Sequence, residues 1–314
     1  MKNIHRRDFL LCSSLGFLGS FIPNVAMPQR VSASNNLPIQ IFSKLLHFLD
    51  IEEMAARVKE MGFAGIDLTV RPEGHVLPEK VTEDLPKAFE IIRKNQLDCP
   101  TIVTSIQKAD ENSRRLLQTA AQLGIKQYRA GWLKYPENMD IGSGLVSIKN
   151  QLIELEKLNR AVGIVGAYQN HSGDYFGASI WDFWEVVKDR PSEFLGIQFD
   201  IRHATVEGGN SWVQDLHLIY PLIKSINLKD FIWYKDKGKW QARSVPLGTG
   251  MVDFIKYFKF LRAQKIQVPV SLHLEYDLGG AENGQRKIKI DKKEVFKAMQ
   301  RDLAKAQELW EKSQ

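Results

Sequence analysis

Eight short, β-rich apolar runs recur along this chain, separated by longer stretches, several of them clearly amphipathic. The runs are IQIFSKLLHF (39–48), GIDLTV (65–70), DCPTIVTSI (98–106), KQYRAGW (126–132), GIVGAYQN (163–170), LGIQFD (195–200), IKSINLKD (223–230) and VPVSLHLEY (268–276). Apolar residues every three to four positions predict helices over 50–62, 111–124, 146–163 and 292–313. The first three close at a glycine, as helix ends do. Nearly continuous apolar strands belong to a parallel sheet covered by helices. Eight of them predict an α/β fold, a (β/α)8 TIM barrel, as a single domain over 34–314. An open doubly wound sheet is the rival arrangement. No Gly-rich phosphate loop follows the first strand, which argues against that rival and against a nucleotide cofactor.

The first 33 residues read differently. MKNIHRRDFLLCSSLGFLGSFIPNVA has a basic start, an apolar middle and small residues beyond, the pattern of an export signal. Arg6-Arg7 followed by Phe9-Leu10 resembles the twin-arginine type, although His5 and Leu11 depart from its usual Ser/Thr and Lys. An ordinary secretory signal and an uncleaved anchor are the alternatives. The expectation is a periplasmic protein with no stable membrane association once the signal is cleaved. Only Cys99 then remains, so no intramolecular disulfide is expected. The formal charge of +6 falls to about +3 without 1–33, too little and too dispersed to suggest nucleic acid.

A TIM barrel carries its active site at the C-terminal ends of its strands, and the unusual polar residues of this chain fall there. Lys44 and His47 follow the first strand; Asp67, Arg71 and His75 come with the second. Gln169, Asn170 and His171 end the fifth, Asp200 and His203 the sixth, Asn227, Lys229 and Asp230 the seventh, His273 and Glu275 the eighth. Each has a bland alternative: a hydrogen-bonded structural histidine, a solvated lysine, an aspartate capping the next segment. Their gathering on one rim favours a functional site, because buried polar groups need partners.

From about 38 to 312 the chain resembles the xylose isomerase-like TIM-barrel proteins, which include sugar-phosphate isomerases and epimerases, inosose dehydratases, ketose 3-epimerases and the endonuclease IV relatives. The resemblance rests on D-x-x-H at the sixth strand (Asp200, His203), on INLKD at the seventh, and on the glutamate of SLHLEYD (Glu275). It implies one divalent ion, Mn or Mg, held in the family's epimerases by Glu, Asp, His and Glu from strands five to eight. The matching positions here are Gln169, Asp200, Asn227 and Glu275, so two of the better ligands are replaced by amides and the implied metal site is weakened.

The resemblance also implies a small sugar as partner and chemistry beside its carbonyl: isomerisation, epimerisation, or a related elimination or hydration. Such a reaction needs a base against a weakly acidic C–H and a cation or donors at the enediolate oxygen. Glu275 is the expected base. Lys229, Lys44, Arg71 or a metal would hold the oxyanion, His203 the substrate, and His171 or His75 would supply an acid. His47, Asp67, Asn170, Asp230 and His273 complete the expected substrate-binding set. A non-catalytic sugar-binding barrel of the cell envelope is the alternative. Abasic-site repair is disfavoured, since this rim lacks the cluster of His and Glu that several metals need. One or two of Trp132, Trp181, Trp184, Trp212 and Trp233 are expected at the pocket. The segment 233–250 reads as a lid, a pocket wall, a subunit contact or a solvated hairpin; oligomeric state is not legible.

Overall fold

The computed structural model describes residues 36–314; the export signal expected over 1–33 lies outside them. In chain order the strands are β1 (Ile39–Phe42), β2 (Gly65–Thr69), β3 (Thr101–Val103), β4 (Gln127–Arg129), β5 (Val165–Gln169), β6 (Leu195–Asp200) and β7 (Ile223–Leu228). There follow β8 (Asp230–Asp236), β9 (Lys239–Val245) and β10 (Val270–Leu272). β1 to β7 and β10 close into one barrel in sequential order, with β10 between β7 and β1. Every barrel pairing is parallel. All eight apolar runs therefore supply a barrel strand. β8 and β9 form a separate antiparallel ribbon.

The helices are α1 (Ile51–Glu60), α2 (Val81–Lys94), α3 (Glu111–Gln122), α4 (Ile141–Val162), α5 (Ile180–Val187), α6 (Ile201–Gly208), α7 (Trp212–Ile219), α8 (Phe254–Ala263) and α9 (Lys292–Glu311). α4 starts five residues before the expected 146. Asp140 caps it by accepting from the Ser143 amide, and Gly163, at φ 78°, ends it. Gly142, Ser143 and Gly144 are weak helix formers, so the periodicity conceals that first turn.

The apolar core lies between strands and helices, where Met54 and Val58 of α1, Leu85 and Ile92 of α2 and Leu117 of α3 are fully buried beside Ile66, Leu68 and Ile102. Alternate strand residues carry polar groups instead. Gln127 Nε2 donates to Thr101 Oγ1 (3.0 Å), Asn227 Nδ2 to Gln198 Oε1 (3.1 Å) and Ser271 Oγ to Asp67 Oδ2 (2.8 Å). A TIM barrel usually fills its interior with branched apolar side chains. This one carries polarity down from its mouth.

Candidate active site

A cavity of about 270 Å³ opens where the strands end, with Lys44, Arg71, Arg129, Gln169, Lys229 and Glu275 among its walls and Phe42, Trp132, His273 and Asn283 completing them. A wider hollow of about 910 Å³ lies at the opposite end of the barrel, among residues such as Pro38, Pro100, Lys126 and Pro269. It gathers no comparable set of acids and bases, and the smaller cavity is where this fold places chemistry.

One wall is an ion-pair knot. Lys229, the second residue from Asn227 at the end of β7, places Nζ 3.0 Å from Asp200 Oδ2 and 2.9 Å from Glu275 Oε1. Asp200 is fully buried, and its neighbours fix it from every side. Its Oδ1 accepts from the His203 amide (3.2 Å), which makes it the N-cap of α6. Asn170 brackets its backbone, accepting from the Asp200 N–H (2.8 Å) and donating to its C=O (3.1 Å). Gln169 Nε2 donates to Asp200 Oδ2 (2.8 Å), while Gln169 Oε1 accepts from Arg129 Nη1 (3.2 Å). That geometry accounts for an amide where the resemblance implies a glutamate. A carboxylate only accepts, whereas Gln169 must donate on one side and accept on the other.

His203 stands behind Lys229. Its Nδ1 accepts from the Ser172 amide (3.2 Å) and from Arg202 Nη1 (3.0 Å), and its Nε2 lies 3.7 Å from Asp200 Oδ2 and 3.3 Å from Lys229 Nζ. Burial first, and the Lys229 ammonium second, hold His171 below the ordinary imidazole range and hold His203 and His273 well below it. For Glu275, burial pushes the carboxyl up, but Lys229 and Lys44 outweigh it and hold the group well below the usual carboxylate range. About a quarter of that side chain, 26 %, remains open to the cavity.

The facing wall carries cations of another kind. Lys44 Nζ and Arg71 Cζ lie 5.6 and 5.7 Å from the centre of the Phe42 ring, and Arg129 Cζ lies 4.5 Å from that of Trp132. Among the described residues none of the three is ion-paired to a carboxylate. Burial lowers the pKa of all three, that of Arg129 to about 9, with Arg71 adding to the effect there.

Of the expected residues, Lys44, Arg71, Gln169, Lys229, His273 and Glu275 line the cavity. Asp200, His203 and Asn170 stand directly behind that lining. Asp67 is buried, accepts from Ser271 Oγ and is pushed up by burial to about 6. His47 and His75 lie in a separate polar cluster with Ser43 and Thr69: His47 Nε2 is 3.0 Å and His75 Nδ1 3.4 Å from Thr69 Oγ1. Burial lowers them to about 4 and about 3. His171 Nδ1 donates to the Ser172 carbonyl (2.9 Å), and its ring packs between Trp132 and His203. Asp230 accepts from the amides of Phe231, Gly248, Gly250 and Val252, fastening the PLGTG turn.

Neither that turn nor the β8–β9 ribbon contributes a residue to the cavity, so the segment 233–250 is not a wall of it. Trp132 is the tryptophan that lines the cavity. Arg129 escaped the sequence reading, although an arginine inside the strand-like run KQYRAGW is itself a signal, because a strand buried on both faces has little reason to carry one. Asn283 and Phe42 gave no such sign.

The implied metal ligands do not assemble as a donor set. The Lys229 ammonium lies between Asp200 and Glu275, where a shared cation would sit. Gln169 spends its oxygen on Arg129; Asn227 Nδ2 turns to Gln198, and its Oδ1 is left buried without a hydrogen-bond partner. Among the described residues no group of three or more His, Cys, Asp or Glu side chains is placed to hold a metal ion. These residues therefore do not fit a divalent cation as arranged.

Residues 55–298 match the xylose isomerase-like TIM barrel family, and the chain belongs to it. A provisionally named L-ribulose-5-phosphate 3-epimerase of Haemophilus influenzae, SgbU, is 27% identical over 159 residues. The match covers 50% of this chain and 54% of that protein, so it spans about half the length of the curated relative. Among solved structures, the 3-keto-D-glucoside 4-epimerase YcjR of E. coli, in its apo form, is 16% identical with a TM-score of 0.62, covering 84% of this chain and 97% of its own. A xylose isomerase-like TIM barrel protein of Mycobacterium smegmatis in complex with magnesium is 14% identical with a TM-score of 0.60, covering 85% and 97%. At these identities the solved structures share the fold.

Proposed function

We propose that this protein is a sugar isomerase or epimerase that works by proton transfer beside a carbonyl. The observation that carries the reading is the Glu275–Lys229 pair, a carboxylate and an ammonium 2.9 Å apart, both lining one small cavity at the barrel mouth. Glu275 removes the proton from the carbon next to the carbonyl. Lys229, with Lys44 across the cavity, donates to the oxygen that gains charge. In the resting site Lys229 holds Glu275 as a weak base. A substrate oxygen that accepts from the same ammonium shares its charge, which loosens that hold and strengthens the base as the reaction begins.

Among the described residues Glu275 is the one carboxylate lining the cavity. A single base on one face suits return of the proton to the neighbouring carbon, as in aldose–ketose isomerisation, better than epimerisation by two opposed bases. Its likeness to sugar epimerases supports the broader class. The test is exchange of the carbon-bound proton with deuterated water across a panel of ketoses and aldoses. Glu275→Gln is expected to abolish exchange while sugar still binds. Unchanged exchange in that variant would sink the assignment.

A further inference from the structure

We infer that the sugar this cavity takes carries an oxyanion, a carboxylate or a phosphate ester, seated against Lys44, Arg71 and Arg129. The inference rests on the sugar reading above and names the substrate class for the same site. Charge is the first ground. Lys229 is already matched by Asp200 and Glu275 at 3.0 and 2.9 Å. The three remaining cations of the lining make no close ion pair among the described residues. Asp67 and Glu275 act on them only from a distance, and the four cations Lys44, Arg71, Arg129 and Lys229 exceed the three carboxylates Asp67, Asp200 and Glu275. Of the three, Arg129 is buried and Lys44 and Arg71 are half-buried; a buried charge without a close partner is unfavourable unless something else compensates it.

The way these cations are held is the second ground. Lys44 and Arg71 lie over Phe42 and Arg129 over Trp132, so aromatic faces fix their positions. A ring face orients a cation without cancelling its charge. Arg129 is 3% exposed, and its Nε is buried with no acceptor, while Nη1 and Nη2 are anchored to Gln169 and to the Thr104 carbonyl. A guanidinium pinned in this way is preorganised for a planar or tetrahedral oxyanion. At about 270 Å³ the space suits a monosaccharide, since it lies below the ~300–1,000 Å³ usual for larger ligands. The anionic end then faces Lys44, Arg71 and Arg129, which turns the reacting carbons toward Glu275 and Lys229.

Calorimetric titration of the full chain with D-fructose, D-fructuronate and D-fructose 6-phosphate tests this, because the three share a ketose carbonyl and differ in the oxyanion. At least one anionic sugar is expected to bind about tenfold or more tightly than fructose. Which of the two does so separates carboxylate from phosphate. The difference should shrink with added salt, and it should shrink again in Arg71→Gln and in Lys44→Met. Equal affinity for all three sugars overturns the inference, as does a preference that survives when Arg71→Gln and Lys44→Met are combined. Proton exchange is scored separately on the same sugars. Absence of exchange with the anion preference intact would end the proton-transfer reading alone. Rapid exchange of fructose with no anion preference would end this inference alone.

Discussion

The two walls of the mouth treat positive charge in opposite ways. On the side of β6, β7 and β10, Lys229 is tied to Asp200 and Glu275, and the residues around it leave little freedom. On the side of β1, β2 and β4, Lys44, Arg71 and Arg129 are held over aromatic rings and make no close ion pair among the described residues. A matched cation can be positioned rigidly before a substrate arrives, which is what stabilising a developing oxyanion requires. An unmatched one waits for a charge that something else must bring. The proposed reacting groups and the proposed specificity groups thus lie on separate walls of a cavity of about 270 Å³.

The largest effects should come from breaking the matched side. Glu275→Gln removes the proposed base, and proton exchange should fall by about 10³-fold, within the range that positioned acid–base groups supply. Equilibrium binding of the sugar distinguishes that loss from misfolding. Lys229→Met should be the most damaging to stability, because it leaves Asp200 and Glu275 facing each other without their cation. The expected loss is about 3–5 kcal/mol, read from urea unfolding near neutral pH. The Glu275 carboxyl should rise at the same time, visible as an acid limb that moves upward in any residual rate profile.

The matched side was also the more legible in the sequence. The eight strands were readable because each is a short apolar run between helical stretches, and the last residues of those runs named Asp200, Lys229 and Glu275. What could not be read was which polar atom answers which. Gln169 looks like a weakened ligand until its two partners, Arg129 and Asp200, are seen to need an acceptor and a donor together. Lys229 looks like one rim cation among several until it is found between the two carboxylates. His47 and His75 share the strand ends with the site, yet they turn into a cluster of hydroxyls. Side-chain direction at a strand end depends on a turn of one or two residues, and neither composition nor periodicity records it. The unmatched side was half visible: Lys44 and Arg71 follow their strands, whereas Arg129 lies within one and was passed over.

A pH series should sharpen the contrast with a smaller effect. His47 and His75, on the β1–β2 side, have folded-state pKa values near 4 and 3, below the ordinary 6.5. The unfolded chain therefore takes up protons first as the pH drops. Stability contributed by His47 is complete above about pH 6.5 and is lost toward pH 4, about 3 kcal/mol in all. Asp67 acts in the other direction. Its folded value is raised from 3.8 to about 6, so its burial penalty fades as the pH falls through 6. Burial raises Asp215, Asp230 and Asp302 in the same sense, but five histidines, His47, His75, His171, His203 and His273, are lowered, so unfolding midpoints in urea should fall between pH 7 and pH 4.5. His47→Gln should flatten the decline, and a steeper decline in that variant would contradict the assignment.

The smallest effect is expected on the unmatched wall, and there the comparison between the walls is most exposed to failure. Lys44→Met keeps a flexible apolar stem against Phe42 and removes a charge that burial and its cationic neighbours disfavour and Glu275 favours, with burial the larger effect. Glu275 loses a secondary attraction, but Lys229 remains its direct partner at 2.9 Å. Stability should therefore change by about 1 kcal/mol or less, with a gain as the more natural sign. Arg71→Gln should behave alike, since Arg71 lies over the same ring without a carboxylate partner. Urea unfolding of both variants beside Lys229→Met makes the test. If Lys44→Met or Arg71→Gln costs as much as Lys229→Met, those cations hold the fold together, and a cation without a close ion pair at this mouth says nothing about the ligand.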